Sequence, residues 1–367
     1  MNPFVFHRPV SAEAVIAREA DAAALLDAVT GGVNATLYAP RRYGKTTLIA
    51  KVLAEAEAVY GMAAVTVDCY GVLTREDFAA RLTSAYRALP GRTGRRVGAL
   101  LESVGAGVQV AGTGASLTAK RRVTSSEGLL IDLLDLPLGV LERTGRTTVV
   151  AFDEFQAITD VPGLDGLVRS RIQYHGEAAV YVFAGSEPSL LGAMFTDRSR
   201  PLYGQAQPFR LGPLPARETH EAIAARFEAT QRSVDPRVLG ELVATGAGHP
   251  QRTMLLAHRL WAATPARGEA TDARWRVALA ATLAQLTIEF EALWTAMTAN
   301  ERRIVAAVAG GLSPLSRDGR AVGLRGPSSA QKAIEALIRR GMVERGDGGL
   351  HIVDPLLALW VAELRAT

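Results

Sequence analysis

Along the first half of the chain, short apolar runs alternate with stretches of helical spacing. Leu25 to Val29 closes an Ala-rich stretch, which predicts a helix from about Ala12 that Thr30-Gly31-Gly32 stops. Ala35 to Tyr38 reads as a short strand. Thr46 to Tyr60 reads as a helix with Leu48, Ile49, Val52 and Leu53 on one face. Ala63 to Val67 is a second strand, ending at Asp68, and Arg75 to Leu89 a helix closed by Pro90. Residues 91–125 break the pattern. There Gly105, Gly107, Gly112 and Gly114 interrupt a weak alternation of Val104, Val108 and Val110, which predicts a flexible hairpin or a disordered insertion. Leu129 to Leu141 is a leucine-rich helix, and Thr147 to Phe152 and Val180 to Ala184 are buried strands. The alternation predicts an α/β fold, a parallel sheet flanked by helices.

After Pro215 the pattern is helical: Ala216 to Thr230, Pro236 to Thr245, Pro250 to Thr264 and Thr271 to Met297. A last segment reads helix, turn, helix, hairpin. It comprises Ala299 to Ala309, a piece near Ser316 to Val322, Ser328 to Arg340, and Met342 to Val353 with a turn at Gly346 to Gly349. No internal repeat is visible.

Composition narrows the class. The 367 residues, 48% hydrophobic and 21% charged, suit two or three globular domains and exclude wholesale disorder. The lone Cys69 excludes an internal disulfide and a multi-cysteine zinc site, and the six His residues have no metal-ligand spacing. The start of the chain lacks a signal-peptide pattern, and no run approaches the ~20 apolar residues that span a bilayer. The expectation is a cytoplasmic protein without a membrane partner. The net charge of +4 is unevenly spread. Residues 1–90 sum to zero, 91–125 to +5, 126–297 to −4 and 298–367 to +3.

The clearest chemistry is Ala39-Pro40-Arg41-Arg42-Tyr43-Gly44-Lys45-Thr46-Thr47, between a strand and a helix, the context a P-loop requires. Backbone N–H groups there surround phosphate oxygens. Lys45 neutralises the β- and γ-phosphates, and Thr46 offers its hydroxyl to Mg²⁺. Ala39 stands where the pattern has its first Gly, which is tolerable where the backbone has negative φ. About a hundred residues on, the strand from Thr147 ends in Asp153-Glu154. Strand ends face the ligand crevice of open α/β sheets. Asp153 is the candidate to hold Mg²⁺ through water, and Glu154 to polarise the attacking water. Ser186, ending the next strand, admits two readings: a contact to the γ-phosphate or its water, or a cap on the following helix. Gly248-His249-Pro250-Gln251-Arg252 likewise either faces a nucleotide across a cleft or merely starts a helix.

These motifs resemble the archaeal-type ATPases of the AAA+/STAND P-loop superfamily, relatives of archaeal replication initiators. The matching residues are Asn2-Pro3-Phe4, Ala17-Arg18-Glu19, Tyr38 to Thr46, Asp153-Glu154-Phe155-Gln156, Phe183 to Ser186, Phe195 to Tyr203, Gly248-His249-Pro250 and Asp354-Pro355. The chain departs from the family at Ala39 and Ala17, where Gly is usual. The resemblance implies an αβα P-loop NTPase core over residues 1–213, a helical lid over 214–297 and a winged-helix domain over 298–367. It puts Arg18 near adenine and Ser186 at the sensor-1 position. His249 and Pro250 become the nucleotide-sensing turn, and Arg252 falls near the sensor-2 arginine. Arg198 or Arg200 becomes either an arginine finger for a neighbouring subunit of a homo-oligomer or a surface residue.

Within the winged helix, Ser328 to Arg340 carries Lys332, Arg339 and Arg340 opposite an apolar face of Ala333, Ile334, Leu337 and Ile338. Arg325 precedes it, and Arg345 lies in the wing. These suit duplex DNA in the major groove and wing, but +3 is a modest footprint and Glu335 also lies on the helix, so the alternatives are a protein contact or closure over a nucleotide. The basic insertion, with Arg92, Arg95, Arg96, Lys120, Arg121 and Arg122, has no aromatic residue for stacking on bases. It reads as a solvated loop or a contact for a polyanion. The expected function is a slow ATPase acting as a nucleotide-dependent switch, with ATP/ADP and Mg²⁺ bound. The alternatives are a DNA-binding regulator with structural ATP and an ATP-gated signalling or defence scaffold.

Overall fold

The computed structural model describes residues 1–8, 10–11, 14–103, 126–186, 188–314, 327–346 and 348–366. Five parallel strands form the central sheet: β1 (Ala35–Tyr38), β2 (Ala63–Asp68), β3 (Thr148–Asp153), β4 (Ala179–Gly185) and β5 (Gln207–Arg210), in the order β2-β3-β4-β1-β5. β3 and β4 are buried almost throughout, because helices cover both faces. Side-chain alternation divides them between two cores. Val149 and Ala151 join α1 (Glu19–Thr30) and α2 (Lys45–Tyr60) on one face. Val150 and Phe152 join α3 (Arg75–Arg87), α4 (Gly91–Ser103), α5 (Ser126–Leu134), α6 (Leu136–Thr144) and α7 (Leu164–Ile172) on the other. α8 (Pro188–Thr196) follows β4.

The structure changes three expectations here. Residues 91–103, expected as the start of a hairpin or disordered insertion, are helical. Val97 and Leu101 are fully buried, and Gly94 and Gly139 give the backbones room to approach Leu89 and Leu100. Apolar residues at helical spacing outweighed the glycines. The rest of that segment, with Lys120, Arg121, Arg122 and the glycine run, lies outside the described residues, as do Arg325 and the piece near Ser316 to Val322. The leucine-rich helix is two helices. Asp135 breaks it, held by the Arg171 guanidinium and by His175 Nε2 at 3.1 Å, and Pro137 opens the second. The first helix starts at Glu19, since Ala17 has φ 51°, which a right-handed helix cannot include.

The second half builds α9 (Ala216–Ala229), α10 (Pro236–Gly246), α11 (Pro250–Ala263) and α12 (Asp272–Thr295), with a parallel pair β6 (Ser233–Val234) and β7 (Glu269–Ala270). The last unit is α13 (Ala299–Ala309), α14 (Pro327–Arg339), the antiparallel hairpin β8 (Val343–Gly346) and β9 (Gly349–Ile352), and α15 (Pro355–Ala366). Thr298 and Glu301 form a capping box on α13. By length and composition α12 is apolar enough to cross a membrane, contrary to the expectation that no segment is. Here Trp275, Leu283, Leu286 and Phe290 of that helix are packed inside the protein. One hydrophobic core runs through α9 to α12 and into the winged helix, from Ile223 to Val361, and it also takes in Phe4.

Candidate functional site

The loop from β1 to α2 is built around two left-handed residues, Arg42 at φ 67° and Gly44 at φ 86°. Such alternation turns successive N–H groups toward one point, which suits an anion. Ala39 is buried and is not among the positive-φ residues, so its Cβ carries no backbone penalty. Lys45 is buried and donates to the carbonyls of Ala39 at 3.0 Å and Pro40 at 3.2 Å. Burial holds its pKa below the ordinary lysine value, against the pull of Glu154 and Asp153.

β3 delivers the two carboxylates beside it. Thr46 Oγ1 donates to Asp153 Oδ2 at 2.6 Å, and the Glu154 N–H donates to Asp153 Oδ1 at 3.0 Å. Glu154 itself has a left-handed backbone, φ 51°. Its Oε2 accepts from Ser186 N at 3.1 Å, Ser186 Oγ at 2.7 Å and Gln156 Nε2 at 2.7 Å. The neighbours are driven in opposite directions. Burial is the largest influence on both, and it raises the Asp153 pKa. At Glu154 the hydrogen bonds from Ser186 and Gln156, with Lys45, outweigh burial and lower it. Oxygen donors from Thr46 and Asp153 suit Mg²⁺, which takes few protein ligands and completes its shell with phosphate and water. Among the described residues no cluster of three or more His, Cys, Asp or Glu offers a fuller metal site.

A cavity of about 420 Å³ opens over this cluster. Arg18, Arg41, Arg42, Tyr43, Gly44, Lys45, Thr46, Thr47, Glu154 and Pro250 line it, so most of the predicted nucleotide contacts converge. The sequence reading missed its far wall, where Val5, Phe6, Val15 and Ile16 face Leu214, Gln251 and Met254. Only the apolar side chains of the N-terminal segment hinted at this, and they belong to no helix or strand. Arg226, also missed, ties that segment to α9 by donating to the Ala14 carbonyl at 2.6 Å.

The residues at the junction of core and helices hold the cavity's shape. Arg18 is buried and donates to Gly212 O at 2.8 Å, Tyr43 O at 3.3 Å and Asp21 at 2.8 Å. Gly248 sits at φ 71°, where a Cβ would lie 2.6 Å from Pro213. His249 caps α11 by accepting from Arg252 N at 3.3 Å, and its ring meets Tyr43 edge-on at 5.0 Å. Burial depresses the His249 pKa to about 4, so the ring is neutral at pH 7.

Other predicted residues lie elsewhere. Arg252 does not line the cavity. It is buried and donates through Nε at 2.8 Å and Nη2 at 2.5 Å to Asp354 Oδ2, and through Nη2 at 3.4 Å to Glu289 Oε1. The same Glu289 oxygen accepts from Arg42 of the P-loop at 3.2 Å. Asp354 also accepts from Leu356 N at 3.0 Å, at the start of α15. This chain of ion pairs runs from the P-loop to the winged helix. A second contact joins Arg210 of β5 to Glu344 of the wing at 3.1 Å. Arg198 and Arg200 are exposed, on a turn that Asp197 holds by accepting from Ser199. Lys332, Arg339 and Arg345 are exposed, whereas Arg340 reaches Glu301 at 3.5 Å.

The comparisons with known proteins agree with this architecture. Residues 288–363 match the model of a family described as a probable winged helix domain. No curated protein matches the chain. Among solved structures, the Walker-type ATPase PABY2304 of Pyrococcus abyssi is similar at TM-score 0.70 and 21% identity, over 98% of this chain and 99% of that one. The ORC2 protein of Aeropyrum pernix, in its ADPNP–ADP complexes, is similar at TM-score 0.60 and 16% identity, over 100% of this chain and 98% of that one. The chain thus has the fold shared by a Walker-type ATPase and an archaeal ORC protein, an αβα P-loop core followed by helices and a C-terminal winged helix.

Proposed function

We propose that the chain binds Mg-ATP in the 420 Å³ cavity and hydrolyses it slowly, as a switch whose nucleotide state reaches the winged helix. The observation that carries this reading is the convergence of Lys45, Thr46 and Glu154, with Asp153 bonded to Thr46, on a cavity that Val5, Phe6, Val15 and Ile16 also line. Purines need an apolar slot, and triphosphates need the loop and its lysine. Thr46 and Asp153 would hold Mg²⁺, which when bound neutralises charge on the phosphates. Glu154 orients and deprotonates the attacking water, and Ser186 positions its carboxylate. Arg42, shared between the P-loop and Glu289, is the route by which phosphate reaches the Arg252–Asp354 pair and hence the winged helix. The expected division is core to about 213, lid to 297 and winged helix beyond. Titration with Mg-ATP tests the reading. Lys45→Ala abolishes binding, whereas Glu154→Gln keeps it and slows turnover; intact binding by Lys45→Ala refutes the site.

A second reading, duplex DNA bound at α14 and the wing, rests on exposed Lys332, Arg339 and Arg345. It predicts binding that weakens steeply with salt and in the Lys332→Ala, Arg339→Ala variant.

A further inference from the structure

Gln156 stands next to the catalytic candidates but has no part in the scheme above. It is only 6% exposed. Its Nε2 donates to Glu154 Oε2 at 2.7 Å, while its Oε1 is buried with no hydrogen-bond partner. A buried amide oxygen without a partner costs free energy, and it persists only where something else holds the group. What holds it is the end of β4. A Cβ on Gly185 would lie 2.1 Å from Gln156 Oε1, so the amide occupies the space that any other residue at 185 would fill. Ser186, the next residue, supplies the other two donors to the same Glu154 oxygen. Glu154, at φ 51°, has no helix or strand of its own to fix its direction.

We infer that Gln156 is a positioning residue for Glu154, seated by the missing side chain of Gly185, so that its amide joins the two Ser186 donors in aiming the carboxylate. The inference rests on the assignment of Glu154 as the base. The three donors occupy Oε2, which leaves Oε1 for the water. The charged groups around Glu154 are Asp153 beside it on the chain and Lys45 from α2, with the Cys69 thiol on the loop after β2. None of these touches Gln156 Nε2, so a substitution there reads the donor alone.

The test uses the full chain. Gln156→Met removes the donor at nearly constant volume, and Gly185→Ala displaces the amide without touching Glu154 or Ser186. Each is expected to lower kcat about tenfold with KM within about twofold. The Glu154 carboxylate resonance, assigned by its loss in Glu154→Gln and read at one fixed pH without nucleotide, is expected to shift in both variants as the Gln156 hydrogen bond is lost. In a Gln156→Ala background only the end of the Leu191 side chain, 3.1 Å from the added Cβ, stands near it, and adding Gly185→Ala should change kcat by less than about twofold. An unmoved Glu154 resonance in both variants overturns the inference. So does a Gly185→Ala defect equally large in the two backgrounds. A shifted resonance in a chain that never turns over ATP supports the positioning role and refutes the ATPase reading.

Discussion

Two charged clusters meet at the P-loop, and they are built on opposite plans. The one facing the sheet, Lys45, Thr46, Asp153 and Glu154, comes from two short motifs at the ends of adjacent elements. The one facing away, Arg42, Glu289, Arg252 and Asp354, takes one residue each from the loop, α12, α11 and the start of α15. The first places a left-handed carboxylate and a buried lysine where chemistry is expected, at some conformational cost. The second alternates basic and acidic groups and satisfies them. On the proposed reading, the sheet cluster is organised for reaction, and the outward cluster holds the winged helix against the loop.

Substitutions that hit one cluster and spare the other sharpen this contrast. The largest expected effect is on Glu154→Gln, with turnover down by about two to three orders of magnitude and Mg-ATP affinity within a few-fold, as stopped-flow and equilibrium titration would show. Loss of affinity instead would make Glu154 a binding residue. Asp354→Ala leaves Arg252, which is 2% exposed, with only its 3.4 Å ion pair to Glu289, and should cost about 3 kcal/mol in urea unfolding. An unchanged midpoint would mean that the outward cluster is ornamental.

The junction between the clusters carries a pH signature. His249 is depressed to about 4, so between that value and its ordinary 6.5 the unfolded chain binds a proton that the folded chain refuses. Its contribution is complete above pH 6.5 and falls with pH, by up to about 3 kcal/mol near pH 4. His249→Asn, which can still cap α11, should flatten the difference between unfolding at pH 7 and pH 4.5; an unaltered slope rejects a buried neutral ring. The smallest effect belongs to Ala17→Gly, which relieves φ 51° and should stabilise the chain by about 1 kcal/mol in the same assay.

The same contrast explains what was legible in the sequence. The sheet cluster was, because a phosphate loop and an acidic strand end each need fixed residue types at short spacing. Four of the five strands were legible for a related reason, β3 and β4 being apolar on both faces, whereas β5, largely exposed at the sheet edge, was missed. Glu289 was not legible, since a glutamate on an amphipathic helix looks like any solvated charge until Arg42 and Arg252 are brought to it. The role expected of Arg252 was read from its place after Gly248-His249-Pro250, yet its side chain leaves the cavity for Asp354. Gln156 was quoted within its motif, but its use depends on the space at Gly185, 29 residues later and on another strand. Helix α4 was obscured because residues 91–125 read as one glycine-rich piece, and the room that Gly94 leaves for the Leu89 backbone shows only in the fold.

The single core that joins α9 to α12 with the winged helix has a practical consequence. Phe4 packs on Phe227 in that core, so the first residues of the chain ride with its last helix rather than with the sheet. Fluorophores attached near those two places would travel together. A pair with one dye on α2 and the other on exposed Lys332 would report any movement between the sheet and that core.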